Sequence, residues 1–137
     1  MAASMQVNIV SAEGEIYSGS AEMVVAPARL GEVGIAAGHA PLVTQLNAGE
    51  VRVLTEGQEE QHIFVSGGML EVQPKECTVL ADTAIRGADL DEAEALKAKE
   101  RAEEALADQQ ESMDYAKARA ELAAAVAQLQ MLRRLKK

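Results

Sequence analysis

His39 and His62 are the only two imidazoles in a chain of 137 residues, and Cys77 is its only thiol. His39 lies in "GEVGIAAGHAPLVTQL", residues 31–46, behind Glu32 and among glycines at 31, 34 and 38. Such a stretch could cradle phosphate, hold a metal, carry a catalytic base or present a shaped surface to another protein. The first three are poorly served. Gly31, Gly34 and Gly38 do not form G-x-G-x-x-G, and nothing in the chain matches G-x-x-x-x-G-K-[ST]. Neither histidine has a second at ligand spacing, so a metal site would have to be assembled by the fold from His39, His62 and Glu32. Ser66, in "VSGGML", lacks the G-x-S-x-G frame of a nucleophile. Cys77, in the apolar alternation "ECTVLA", reads as a buried, inert thiol. No catalytic residue, metal or cofactor is assigned. Presentation remains, because a loop shaped by Gly and Pro on a rigid scaffold is where binding residues are usually carried.

Two dissimilar halves must position these residues. All ten glycines and all three prolines lie at or before Gly87, whereas residues 88–137 contain neither and include 14 alanines. The chain is therefore divided into residues 1–87 and 88–137. In the first part "QVNIV", "AEMVVAP", "PLVTQL", "EVRVL", "HIFVS", "MLEVQP" and "TVLAD" alternate apolar and polar residues between turn signals. That pattern predicts an antiparallel β-sandwich or barrel of about eight to ten short strands.

The second part predicts an antiparallel two-helix hairpin. Asp89 and Glu92 form a candidate N-cap pair, with Asp91, Glu92 and Glu94 at the positive end of the helix dipole. Ala95, Ala98, Ala102 and Ala105 make one stripe, and "DQQESMD" reads as the turn. Tyr115, Ala118, Leu122, Ala125, Leu129 and Leu132 then repeat at 3-4-3-4-3. An alanine seam holds weakly: four methyls contribute roughly 3 kcal/mol at ~0.8 each. The ends differ in charge. Residues 89–119 carry ten acidic and five basic side chains, while residues 120–137 set Glu121 against Arg133, Arg134, Lys136 and Lys137. A basic tip of this kind suits an acidic partner.

Composition removes other classes. A net charge of −9 with only three aromatic residues does not suit nucleic acid. No run approaches the ~18 apolar residues of a membrane span, and the start has no signal-peptide pattern.

"VGIAAGHAPLVTQLNAG", "FVSGGMLEVQP", "TVLADTAIRGADLDEAEA" and "MDYAKARAELAAAVAQL" resemble the epsilon-subunit family of the bacterial F-type ATP synthases, in order from about Gln6 to Leu132. The resemblance implies a non-catalytic central-stalk subunit that links the gamma subunit to the membrane-embedded c-ring, peripheral on the cytoplasmic face of the inner membrane. It implies that the family's Gly-Glu-x-Gly-Ile-x-x-Gly-His-Ala-Pro-Leu segment docks gamma and the c-ring. Glu32, Gly34, Gly38, His39, Ala40 and Pro41 carry that role here, with Ala37 where the family often has proline. It also implies that the hairpin can extend along gamma into the alpha/beta catalytic head and inhibit ATP hydrolysis. Leu122, Leu129, Leu132, Arg133 and Arg134 are the residues concerned. Some family members sense ATP through I/L-D-x-x-R-A. Here Leu90-Asp91-Glu92-Ala93-Glu94-Ala95 puts Glu94 in place of the arginine, so the alternative of a nucleotide-sensing module, with Asp91, Glu94 and Arg101 at its site, is disfavoured.

Overall fold

The computed structural model describes residues 3–108 and 112–135, without the side chains of residue 108 and residues 112–115. Strict alternation of burial builds the strands. In β1, Met5–Ser11, every second residue from Met5 is buried, and β9, Glu76–Ala81, buries Cys77, Val79 and Ala81 in the same way. The other strands are β2 (Gly14–Ala21), β3 (Met23–Ala28), β4 (Gly31–Ala36), β5 (Leu42–Leu46), β6 (Gly49–Leu54), β7 (Gln61–Val65), β8 (Gly68–Gln73) and β10 (Ala84–Arg86).

The ten strands form one ladder in the order β10-β7-β6-β3-β5-β8-β9-β1-β2, with β4 paired to β3. The ladder turns a corner between β3 and β5, where a single pair, Ala28 with Leu46, joins two face-packed sheets. One sheet is β10-β7-β6-β3-β4 and the other β5-β8-β9-β1-β2. Inward residues of both, including Val7, Ile9, Val24, Ile35, Val51, Ile63, Leu70 and Val79, form one aliphatic core. On the far side the Arg86 guanidinium donates to the Ile16 carbonyl at 2.7 Å, tying β10 back to β2. The sandwich is therefore nearly a closed barrel, which leaves little unpaired edge.

The segment around His39 departs from its reading as a single loop. Residues 31–36 are strand β4, with Val33 and Ile35 turned inward and Glu32, Gly34 and Ala36 outward. Gly31 and Gly34 obscured this alternation in the sequence. β2 and the three-residue β10 were missed too, the first because "GEIYSGSA" buries only its final residue completely.

Helices α1, Glu92–Asp108, and α2, Ser112–Leu135, follow a 3-10 turn at Gly87–Asp89. The N-cap is Asp91 rather than Asp89: its Oδ1 accepts from the Ala93 N–H at 2.9 Å and the Glu94 N–H at 3.2 Å. Asp89 is taken into the 3-10 turn, so the helix starts two residues later. The connection between the helices is shorter than "DQQESMD". Residue 108 and residues 112–114 are helical, and residues 109–111 lie outside the described residues. The segment has no Gly or Pro to break a helix. On α1, Ala95 and Ala102 are buried and Ala98 is half-buried, but Ala105 is exposed and Leu106 takes the inward position. α2 packs on β6, β7 and the 3-10 turn, and α1 packs on α2.

Candidate functional site

The turn between β4 and β5 is held by its backbone. Gly38 adopts φ +86°, a left-handed conformation open to glycine at little cost. Its N–H donates to the Pro74 carbonyl at 2.8 Å, and the His39 N–H donates to the Ala36 carbonyl at 3.2 Å. Ala37 and Leu42, on either side, pack against the main core. Ala37 thus restrains the turn by burial where proline would do so by ring closure. His39 Nδ1–H donates to the Ala40 carbonyl at 2.6 Å, which fixes that tautomer and leaves Nε2 as the nitrogen available to a partner. Ala40 and Pro41 are exposed. These residues make a preformed surface at one end of the sandwich, beside the β8–β9 turn.

Glu32 belongs elsewhere. It sits at the opposite end of β4, opposite Pro27, whereas Ala36 pairs with Met23. Five residues at ~3.3 Å each separate Glu32 from the start of the His39 turn. Its Oε1 meets Arg52 Nη2 at 3.2 Å. Gly34 lies between them on the outer face, opposite Val25.

Arg52 leads into a charge network that the sequence reading did not foresee. On the outer face of β6 and β7, Glu50 is buried, with 3% of its side chain exposed. Its Oε2 accepts from His62 Nδ1 at 3.1 Å, and its Oε1 lies 3.3 Å from Arg134 Nη2 of α2 and 4.0 Å from Arg52 Nε. His62 Nε2 lies 3.3 Å from Glu60, which is 4.0 Å from Arg52 Nη1. Beside the charges, Phe64, Ala127 and Met131 form a second core with Ile85, Leu90, Ala48 and Ala124 packed on it. α2 therefore has two working faces. Ala118, Ala125 and Leu129 are buried and Leu122 and Leu132 half-buried along the predicted seam, while Ala124, Ala127, Met131 and Arg134 meet the sandwich. The side chain of Tyr115, the first seam residue, lies outside the described residues, as do Lys136 and Lys137. Arg133 is exposed. A signal for the second face was present: Phe64 shares the outward phase of β7 with His62, and an outward Phe beside an outward carboxylate calls for a covering element.

Carboxylates and histidine around His62 do not make a metal site. Arg52 and Arg134 already supply the positive charge, and among the described residues no three His, Cys, Asp or Glu converge on a common point. The set of His39, His62 and Glu32 is not brought together as ligands. For nucleotide the geometry is also unfavourable. Asp91 is used as a helix cap, and Arg101 donates to the Lys97 carbonyl at 3.4 Å. Arg101 lines a shallow open groove with Glu121, Gln128 and three alanines, so a carboxylate shares the surface a triphosphate would have to use. Cys77 is fully buried, and burial pushes its thiol up to about 11.

Comparison with known proteins finds matches to two families of domains. The ATP synthase Delta/Epsilon chain beta-sandwich domain matches residues 4–87, and the ATP synthase Delta/Epsilon chain long alpha-helix domain matches residues 88–133. The chain is 61% identical to "ATP synthase epsilon chain 1" of Methylococcus capsulatus, over all of this chain and 98% of the relative. It is 58% identical to the ATP synthase epsilon chain of Nitrosococcus oceani, with the same coverage. Among solved structures, a chain of the Euglena gracilis mitochondrial ATP synthase OSCP/F1/c-ring assembly superposes with a TM-score of 0.81 at 19% identity, covering 100% of this chain and 84% of that one. At that identity the superposition speaks for the fold alone.

Proposed function

Since this chain belongs to the ATP synthase delta/epsilon chain family, we propose that it docks to the gamma subunit and the c-ring through its sandwich and restrains ATP hydrolysis through its hairpin. It is an epsilon-type subunit of the F-type ATP synthase, a central-stalk component. Among the described residues no helix is long and apolar enough to cross a membrane. Its place is peripheral, on the cytoplasmic face of the bacterial inner membrane, where it turns with the stalk and contributes no catalytic group. Residues 1–87 act as the docking unit and residues 88–137 as the regulatory unit.

The observation that carries this reading is the unequal attachment of the two halves. The sandwich closes on its own aliphatic core, whereas the hairpin meets it mainly through α2, by a small cluster around Phe64 and Met131 and the Arg134–Glu50 ion pair. A weakly seated element on a self-sufficient scaffold can leave without unfolding it. The turn of Gly38, His39, Ala40 and Pro41 offers the fixed surface for docking, with Glu32 and Gly34 along the adjoining strand. Leu122 and Leu132, half-buried on α2, are the apolar residues that an extended hairpin would lay on gamma, with Leu129, Arg133 and Arg134 completing the contact to the head.

The test is deletion of residues 88–137. The truncated subunit should still assemble on the stalk, and ATP hydrolysis by the assembled head should rise. Unchanged hydrolysis would remove the inhibitory role; loss of assembly would remove the assignment of docking to the sandwich.

A further inference from the structure

Arg134 is half-exposed, with 51% of its side chain open to solvent, yet it ends on a carboxylate that is only 3% exposed. Glu50 is the only charged residue among the buried ones of the described residues. It lies on the outer phase of β6, between Val51 and Gly49, which points it away from the aliphatic core and into the face that α2 covers. A buried carboxylate needs compensating charge and hydrogen bonds. Glu50 takes them from two sides: His62 and Arg52 from the sandwich, Arg134 from the hairpin.

We propose that the Glu50–Arg134 pair is an ionic latch that sets how often the hairpin leaves the sandwich, and that it does so by occupying the guanidinium an acidic partner would otherwise take. The proposal rests on the reading of the hairpin as a detachable element. Three features fit a latch rather than a permanent bond. The sandwich-side partners stay with Glu50 when α2 lifts, so the vacated carboxylate is still paired, by His62 at 3.1 Å. Lifting also opens Glu50 to water, which removes the penalty of stranding a buried charge. Finally, the pair is near the C-terminal end of α2, where Arg134 also complements the helix dipole, so the cation is positioned with or without Glu50. Arg134 has one guanidinium and two claims on it: Glu50 when the hairpin is seated, an acidic surface when it is extended. The two states are mutually exclusive for this side chain.

Hydrogen exchange on the full-length chain tests the latch without any partner. Glu50→Gln keeps the shape and removes the charge; Arg134→Gln does the same from the other side. Each should speed exchange of the α2 amides about fivefold, the factor expected for a half-exposed ion pair worth ~1 kcal/mol. Strands β1 and β9 should exchange as before, and raising salt from 0.1 to 0.5 M should reproduce part of the effect only in the unmodified chain. Glu60→Gln, which removes a neighbour of His62 but no contact to Arg134, serves as the control and should leave α2 exchange unchanged. Equal α2 exchange in the unmodified chain and in both latch variants would overturn the proposal, as would an effect of Glu60→Gln as large as that of Glu50→Gln. Hydrolysis by the assembled head then separates the latch from the inhibitory reading. Glu50→Gln should deepen inhibition, since it frees Arg134, whereas Arg134→Gln should relieve it. Faster exchange with no change in hydrolysis keeps the latch and removes the inhibitor.

Discussion

Glu32 meets Arg52 at 3.2 Å on the outer face of β4 and β6, at the end of β4 remote from His39. Two residues adjacent in a sequence pattern thus serve different surfaces, one beside the hairpin network and one on the preformed turn. Glu32→Arg and His39→Asp should therefore separate. Both are expected to weaken ATP-driven proton pumping by reassembled membranes, but only Glu32→Arg puts a second guanidinium against Arg52. It should lower the unfolding midpoint slightly, by an amount corresponding to roughly 1 kcal/mol or less for so exposed a pair. His39→Asp should leave the melt unchanged. A pumping defect in His39→Asp with normal pumping in Glu32→Arg would assign the docking role to the turn alone.

Gly87 offers a test of how closely the hairpin seats. A Cβ placed there would come within 3.1 Å of Leu135 Cδ1, 3.2 Å of Met131 Cε and 3.1 Å of the His62 carbonyl oxygen. The side-chain tips can swing away, but the carbonyl cannot. Gly87→Val should push the end of α2 off Phe64 and speed α2 hydrogen exchange, while the exchange of β1 and β9 stays as it is. If α2 protection is retained, the contact at Gly87 is not what holds the hairpin end.

Asp91 caps α1 through two N–H groups. Asp91→Ala should cost about 1 kcal/mol of helix stability, seen as faster exchange in the first turn of α1. The same residue bears on nucleotide. With Asp91 committed to the cap and Glu94 beside it, a triphosphate would meet two carboxylates, and calorimetry at micromolar concentrations should show no ATP binding. Tight binding by the unmodified chain would reverse that assignment.

Cys77 carries the pH dependence. Burial raises its thiol from 9.0 to about 11. The unfolded chain releases this proton first, so the contribution of Cys77 is fully present below pH 9 and is lost as pH rises toward 11. The difference between the two values corresponds to as much as about 3 kcal/mol at the top of that window. Urea midpoints of the unmodified chain and of Cys77→Val should therefore run parallel below pH 9, and the unmodified chain should fall faster above it.

How much of this could be read from the amino acids follows from where each signal is stored. Strands whose two faces differ, such as β1 with Val7 and Ile9 inward, declare themselves by period two, and a composition change at Gly87 declares the hairpin. β4 and β2 did not show, because glycines and serines carry no hydrophobic contrast even where the backbone is paired. The seam of α2 was legible at 3-4 spacing; its second face, Ala127 and Met131, was hidden by the abundance of alanine around it. The cap moved from Asp89 to Asp91 because D-x-x-E occurs at both positions, and only the packing of the 3-10 turn on β7 decides between them. Glu50 was the least legible of all. Nothing in "GEVRVL" distinguishes a solvated glutamate from one covered by a helix more than sixty residues further along the chain.

Parallel pairing of β1 with β9, in which Gln6 meets Glu76 and Val10 meets Leu80, sets the order in which the chain can acquire its structure. β1 has no lasting neighbour on that side until ~70 further residues have been synthesised, and contacts so distant in sequence slow folding. Only then does the sheet that includes β8 and β9 join the amino terminus. The platform of Glu50 and Phe64 on β6 and β7 is complete before the helix that covers it has been made. During synthesis that face meets water first, and the hairpin that covers it arrives later.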